Sequence, residues 1–322
     1  MSEPVFLFSL PRSGSTLVQR LIAGHPQVAT TSEPWILLPL LYTLRRPGAY
    51  TEYGHRVAVR AIEDFTAQMR GGREEYLFEL REFATALYTA AANGERYFLD
   101  KTPRYHLVVH EIMELFPEGK FIFLWRQPLA VAASIVDSFG RGNWNLDKYA
   151  LDLEDGLEYM VAAARPNDPR CITLRYEDVV ADTDGELGRV FEFLGLDASE
   201  AEGMSDDALR GRMRDRTGVT TYSAVSPEPL TKWHRTMGTA LRRSWCRRYL
   251  ERLGPVRLQE MGYDYDDLMR QVDALPRGPQ KLGSDIARRV HGKVQVRAAH
   301  RLLQPSSREL EKQAMARQAQ LF

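Results

Sequence analysis

Cysteine is nearly missing: Cys171 and Cys246 are the only two in 322 residues, and they stand far apart. That excludes a disulfide framework and any C-x-x-C metal or redox pair. Cys171 opens the apolar run CITL, which predicts a buried thiol. Net charge is also absent, since 43 Lys and Arg balance 43 Asp and Glu. No global field therefore draws the chain to nucleic acid or to an anionic membrane. No run of about 18 apolar residues occurs, so no transmembrane segment is expected. There is no internal repeat. The N-terminus opens almost at once on strand sequence, without the basic and apolar regions of a signal peptide. A cytoplasmic protein is the expectation.

What is present is an ordinary globular composition, long enough for one large α/β domain or two small ones. Charge is balanced overall but not locally: from Pro276 to Phe322 there are ten Lys or Arg against three Asp or Glu. With Pro276 and Pro279 breaking the chain, the reading is a domain over 1–270 and a basic helical C-terminal extension over 271–322. No nucleic-acid partner is expected for it, and a homo-oligomer is left open.

Short apolar runs alternate with helical patterns. Val5 to Leu10, Val28 to Thr31, Tyr97 to Asp100, Phe121 to Trp125 and Cys171 to Leu174 read as strands. Gly14 to Ala23, Ile36 to Leu44, Val57 to Met69, Tyr76 to Ala92, Pro128 to Phe139, Glu186 to Leu194 and Leu241 to Leu253 read as helices. Strands that alternate with helices indicate a mainly parallel central sheet covered on both faces. Residues 45–95 form a helical insert, placed to act either as an acceptor lid or as a plain helical decoration. Trp35, Tyr42, Tyr50, Tyr53 and His55 offer rings near it, for stacking or for packing.

The segment VFLFSLPRSGST carries most of the chemistry. A strand to Leu10 turns through Pro11 to Ser13 into a helix at Gly14. The first N–H groups of such a helix have no internal partner, and its dipole favours an anion. Gly14 permits close approach, the hydroxyls of Ser13, Ser15 and Thr16 can donate, and Arg12 adds a fixed charge. A Walker A loop is G-x-x-x-x-G-K-[ST]. Over residues 9–16 this chain keeps Gly14 and Thr16 but has Ser9 for the first Gly and Ser15 for the Lys. A kinase reading is weakened accordingly. A second anion site lies in FIFLWRQPLAVAAS, where Arg126 ends a strand and Ser134 follows eight residues later on a helix. Ligands of open α/β sheets bind at such strand ends.

Together these segments resemble the PAPS-dependent sulfotransferases (PAPS is 3′-phosphoadenosine 5′-phosphosulfate). LPRSGST resembles the family's 5′-phosphosulfate loop, and Arg126 with Ser134 resembles its 3′-phosphate motif. The run PRSGSTLVQRLIAGHPQV is most similar to the tyrosylprotein sulfotransferase branch. Glu33, twenty-one residues after Arg12, falls where that branch has its catalytic glutamate. Lys101 in LDKTP, Tyr176 in LRYED and Lys232 in LTKW also match that pattern. The resemblance covers residues 4 to 270 or so.

It implies a P-loop-like three-layer α/β/α fold and in-line transfer of a sulfuryl group from PAPS to a hydroxyl of a carbohydrate, lipid, peptide or metabolite. Glu33 would be the general base, with Arg12 and Lys101 stabilising charge. Ser13, Gly14, Ser15, Thr16, Arg126, Ser134 and Tyr176, together with Arg12, would hold the nucleotide. Lys232, with the hydroxyl-rich stretch from Thr217 to Ser226, would close over it. PAP is the product, and no metal is required. The chain departs from cytosolic small-molecule sulfotransferases: Pro103 stands where they carry a basic His, and their glycine-rich C-terminal nucleotide motif is missing. His106 is the runner-up base. No membrane anchor of the kind most protein-tyrosine sulfotransferases carry is read here, so peptide tyrosine is not inferred as acceptor. The alternatives are a P-loop kinase or NTPase and a non-catalytic nucleotide-binding relative.

Overall fold

The structure, a computed structural model, describes residues 1–45, 49, 51–165, 167–207, 226 and 228–303, with side chains to residue 298. Tyr50 and, apart from Ser226, the stretch from Thr217 to Ser226 lie outside the described residues.

Five strands form one parallel sheet: β1 (Glu3–Ser9), β2 (Val28–Thr30), β3 (Tyr97–Asp100), β4 (Lys120–Trp125) and β5 (Cys171–Arg175). Their order is β2-β3-β1-β4-β5. Between the first two strands lies α1 (Ser15–Ile22). Before β3 come α2 (Leu37–Tyr42), α3 (His55–Thr66) and α4 (Gly72–Ala92). Then follow α5 (Val109–Leu115), α6 (Pro128–Ser138) and α7 (Leu157–Ala163). After β5 come α8 (Tyr176–Ala181), α9 (Thr183–Leu194), α10 (Glu228–Met237), α11 (Ala240–Glu260), α12 (Tyr265–Ala274) and α13 (Leu282–Leu303).

The period-two alternation of the central strands divides the core. Val5 and Leu7 of β1, with Ile122 and Leu124 of β4, pack with Leu17 and Leu21 of α1 and with Phe191 of α9. Phe6, Phe8, Phe121 and Phe123 point to the other face, against Tyr88, Ile112 and the apolar side of α6. A strand buried on both faces has to be apolar at every position, which is why these runs lack polar alternation. The expected three-layer α/β/α architecture is therefore present, and it is P-loop-like in its strand–loop–helix start.

The topology also positions the site. The chain leaves β1 through α1 towards the β2 edge and leaves β4 through α6 towards the β5 edge. Two neighbouring strands whose connections diverge open a crevice at their carboxyl ends. At the far end of the chain, a buried bidentate pair ties α13 to α11: Asp285 Oδ2 and Oδ1 accept from Arg242 Nε and Nη2 at 2.7 and 2.9 Å. Among the described residues no helix is long and apolar enough to cross a membrane. The thiol expectation reverses in detail, since Cys171 is half-buried and Cys246 is the buried one. Cys171 opens an edge strand, so one of its sides faces solvent. Burial pushes the two thiols up to about 11 and about 12, which leaves neither as a thiolate nucleophile near neutral pH.

Candidate active site

Each of the five parallel strands delivers one candidate group at its carboxyl end. Arg12 to Thr16 follow β1, Glu33 follows β2, Lys101 follows β3, Arg126 follows β4 and Tyr176 follows β5. Arg12 and Arg126, separated by more than a hundred positions, thus meet at one end of the sheet.

In the first loop, Arg12 and Gly14 both adopt left-handed backbone, with φ of 71° and 88°. Glycine at position 14 has a second cause. A Cβ there would lie 2.3 Å from Cδ2 and Cε2 of Tyr176. The glycine that the sequence assigns to close approach of a phosphate is thus also needed for close approach of a ring. Helix α1 begins at Ser15, and among the described residues the side chains of Ser13, Ser15 and Thr16 make no hydrogen bond to protein. These hydroxyls and the first helical N–H groups make an anion cradle.

Arg126 is buried and links the two anion segments. Its Nη1 donates to the Arg12 carbonyl at 2.9 Å and its Nη2 to the Pro229 carbonyl at 3.0 Å. The guanidinium lies over the Tyr176 ring, 4.5 Å from the centroid. Its Nε is buried with no partner among the described residues. A buried, unpaired guanidinium N–H costs free energy unless an acceptor arrives, and an anion is the acceptor it fits best. The turn is fixed by Glu177, which accepts from Gln127 N–H at 3.0 Å and from Tyr263 Oη at 2.6 Å. Arg12 reaches the same place from the other strand: its Nε is 3.4 Å from Ser134 Oγ, and its guanidinium covers the Phe139 ring at 5.6 Å. Tyr176 is fully buried and supports the crevice from beneath, through Gly14 and Arg126.

Glu33 and Lys101 come together on the other side of β1. Lys101 Nζ donates to Glu33 Oε1 at 2.9 Å, and the Trp35 indole N–H donates to Glu33 Oε2 at 3.1 Å. The Glu33 side chain retains 12% exposure, against 3% for Lys101. The carboxylate is thus fixed at both oxygens but still reachable, the geometry a general base requires. Trp35 was legible as a ring for stacking; its indole donor to Glu33 was not.

His106 is placed differently. It has no exposed surface, and its Nε2 lies 3.0 Å from Asp152 Oδ1, with Arg104 Nε 3.2 Å from the same oxygen. Asp152 starts a π-helical turn through Gly156, where a Cβ would meet the imidazole at 2.2 Å. That packing sets the ring inside the protein rather than in the crevice. Lys232 lies on α10, half exposed, 3.8 Å from Asp137 of α6. Asp137 also accepts from Thr236 at 2.8 Å, so α10 is pinned along α6 one turn beyond Ser134.

The profile described as "Sulfotransferase family" matches residues 4–200 of the chain. Nodulation protein NoeE of Sinorhizobium fredii is 36% identical over 137 residues, covering 42% of this chain and 31% of that protein. Protein-tyrosine sulfotransferase 2 of Gallus gallus is 25% identical over 243 residues, covering 71% of this chain and 62% of that protein. The chain thus spans less than two thirds of the length of these relatives. The solved sulfotransferase domain from the Synechococcus PCC 7002 olefin synthase matches with a TM-score of 0.47 at 23% identity, over 72% of this chain and 87% of that one.

Proposed function

The chain belongs to the sulfotransferase family, and on that premise we propose that it moves a sulfuryl group from PAPS to a hydroxyl acceptor. One observation carries the reading: two anion-binding segments, around Gly14 and Arg126, meet at the switch point of the sheet, with the buried Nε of Arg126 unpartnered among the described residues. A nucleotide bearing phosphate at both its 3′ and 5′ positions fits two such cradles. PAPS supplies an activated sulfuryl group when bound. Arg12, Ser13, Gly14, Ser15 and Thr16 would hold its 5′ end. Arg126 and Ser134 would take its 3′ end, with Tyr176 behind them and Lys232 at the rim.

In this mechanism Glu33 takes the acceptor's proton as the hydroxyl oxygen bonds to sulfur. The bond between sulfur and the bridging phosphate oxygen breaks, and PAP leaves with the electron pair. Lys101 and Arg12 offset charge on the oxygens around sulfur. No protein nucleophile and no metal is invoked. The helical insert over 45–95 is proposed as the acceptor lid. The division into 1–270 and 271–322, and placement in the cytoplasm, belong to the same proposal. Free thiols at both cysteines are consistent with a reducing compartment.

The test is calorimetry with PAP and with Mg-ATP on wild type and on Arg126→Ala. PAP is expected to bind tighter than ATP, and the variant to weaken PAP by about tenfold to a hundredfold, the range for a lost hydrogen bond to a charged group. ATP binding equal to or better than PAP and indifferent to Arg126, with magnesium-dependent turnover, would favour the kinase or NTPase reading. PAP binding without any transfer to a broad acceptor panel would favour the non-catalytic one.

A further inference from the structure

We infer that Asp100 is a positioning residue for Glu33, acting through two hydroxyl groups whose direction it sets. The inference rests on the sulfuryl-transfer reading above. Asp100 closes β3 and has no exposed surface. Three hydroxyls converge on its carboxylate. Tyr88 Oη of α4 and Tyr105 Oη donate to Oδ2 at 2.7 and 3.0 Å, and Thr102 Oγ1 donates to Oδ1 at 2.9 Å. An ionised carboxylate only accepts, so each hydroxyl directs its single proton at Asp100.

Two of these hydroxyls are thereby left with lone pairs alone on their outer side, and both face the segment that carries Glu33. Thr102 Oγ1 accepts the Trp35 backbone N–H at 3.3 Å, and Tyr105 Oη accepts the Leu37 N–H at 3.2 Å. Trp35 needs such a hold. Its φ is 58°, which a bulky residue keeps only where its surroundings impose it. The same Trp35 presents its indole N–H to Glu33. A continuous relay thus runs from the Asp100 carboxylate through Thr102 and the Trp35 backbone to the Trp35 indole and the base.

The charge of Asp100 sets the polarity of this relay. A protonated Asp100 brings a donor into a ring of donors. Where Thr102 or Tyr105 accepts from it, that hydroxyl turns its own proton away, towards the backbone N–H that it now holds. The groups facing Asp100 are Tyr88 of α4, Thr102 and Tyr105 of the segment after β3, and Lys101 beside it in the chain. Burial raises the Asp100 carboxyl to about 6, although the three hydroxyls and the Lys101 charge pull it down. Burial and the Asp100 charge hold both phenols well above their usual range, so they remain donors.

The sign of the stability effect is opposite to that of the activity effect. A raised carboxyl contributes stability that is full below its unfolded value of 3.8 and is lost as pH rises through about 6. Activity should instead be gained over that upper limb, as the relay takes its working polarity.

The experiment compares wild type with Asp100→Asn, Thr102→Val and Tyr105→Phe. It measures kcat and the KM for PAPS against pH, and amide exchange at Trp35 and Leu37. Asp100→Asn should lower kcat by about tenfold to a hundredfold, the scale of a slightly misplaced catalytic group, with KM for PAPS nearly unchanged. The wild-type limb near pH 6 should vanish in this variant. Trp35 and Leu37 amides should exchange faster, while β1 and β4 stay protected. If Asp100→Asn does not fold, Thr102→Val carries the test, with faster exchange at Trp35 as its readout. Wild-type kcat, pH limb and amide protection in a folded Asp100→Asn protein overturn the inference and leave the transfer reading intact. A wild type that transfers nothing overturns the transfer reading instead. The exchange data then decide the relay alone: lost protection supports it, and retained protection overturns it.

Discussion

Glu33→Gln is expected to lower kcat by about 10²- to 10⁴-fold, the usual weight of a positioned general base, while PAP affinity stays within a fewfold of wild type. The substitution keeps the volume and an acceptor oxygen. Of Lys101 Nζ, now 2.9 Å from Oε1, and the Trp35 indole, 3.1 Å from Oε2, one keeps an acceptor in the amide oxygen and the other loses it, since the amide nitrogen only donates. What the amide cannot do is take a proton. The Glu33 side chain is held by Lys101 and Trp35, whereas the phosphate contacts proposed for the nucleotide rest on Arg126, Arg12 and the first turn of α1. A loss confined to kcat therefore separates the base from the cradle. Steady-state kinetics with PAPS and calorimetry with PAP read the two quantities independently. An unchanged kcat would remove Glu33 from its role, and His106 would be no ready substitute, because its ring is fully buried against Asp152 and Gly156.

Much of this arrangement was legible in the chain. FIFLW reads as a buried strand because a parallel sheet covered on both faces has to be apolar throughout, and Arg126 stands where such a strand ends. The loop from Leu10 to Thr16 reads as an anion site because Arg, Gly and three hydroxyls crowd a strand-to-helix turn. Boundaries were less legible. Helix α9 starts at Thr183 rather than Glu186, because the Asp182 carboxylate accepts from Gly185 N–H at 3.0 Å and caps the first turn. Gly185 and Gly188 weaken the helical pattern there and hide that start. The end read at Leu253 is in place: Gly254, at φ 73° and ψ 166°, breaks α11 there, and a second helical segment carries on to Glu260.

The buried polar clusters were illegible for another reason. Asp100 gathers Tyr88 from twelve residues before it and Tyr105 from five after it, across three elements. His106 meets Asp152 over a separation of 46 residues. No local period or spacing encodes such meetings. They arise only once the sheet order places the elements side by side. A buried aspartate between an apolar strand and a lysine, as in YFLDK, is the one local sign. Burial of that carboxylate has to be compensated by donors from elsewhere.

Gly14→Ala is expected to disable nucleotide binding and to destabilise the fold together. Left-handed backbone at φ 88° costs an L-residue about 1–2 kcal/mol. The new Cβ would also stand 2.3 Å from two carbons of the Tyr176 ring, so something must move. Overpacking of this kind costs about 1–3 kcal/mol, and the two terms together come to about 2–5 kcal/mol. For a chain of this size that lowers Tm by roughly 3–7 °C. The displacement does not stay local. Tyr176 carries the Arg126 guanidinium 4.5 Å above its ring, and Arg126 in turn holds the Arg12 carbonyl at 2.9 Å. Moving the ring therefore disturbs both anion cradles at once, and PAP affinity should fall by a hundredfold or so, about 2.7 kcal/mol. Thermal unfolding and PAP calorimetry on Gly14→Ala, Tyr176→Leu and the double variant test the cause. Relief of the clash predicts that the double variant is less destabilised than the sum of the singles, with the left-handed backbone cost remaining. Strict additivity, or a Gly14→Ala protein with wild-type Tm and PAP affinity, would show that the ring does not constrain this glycine.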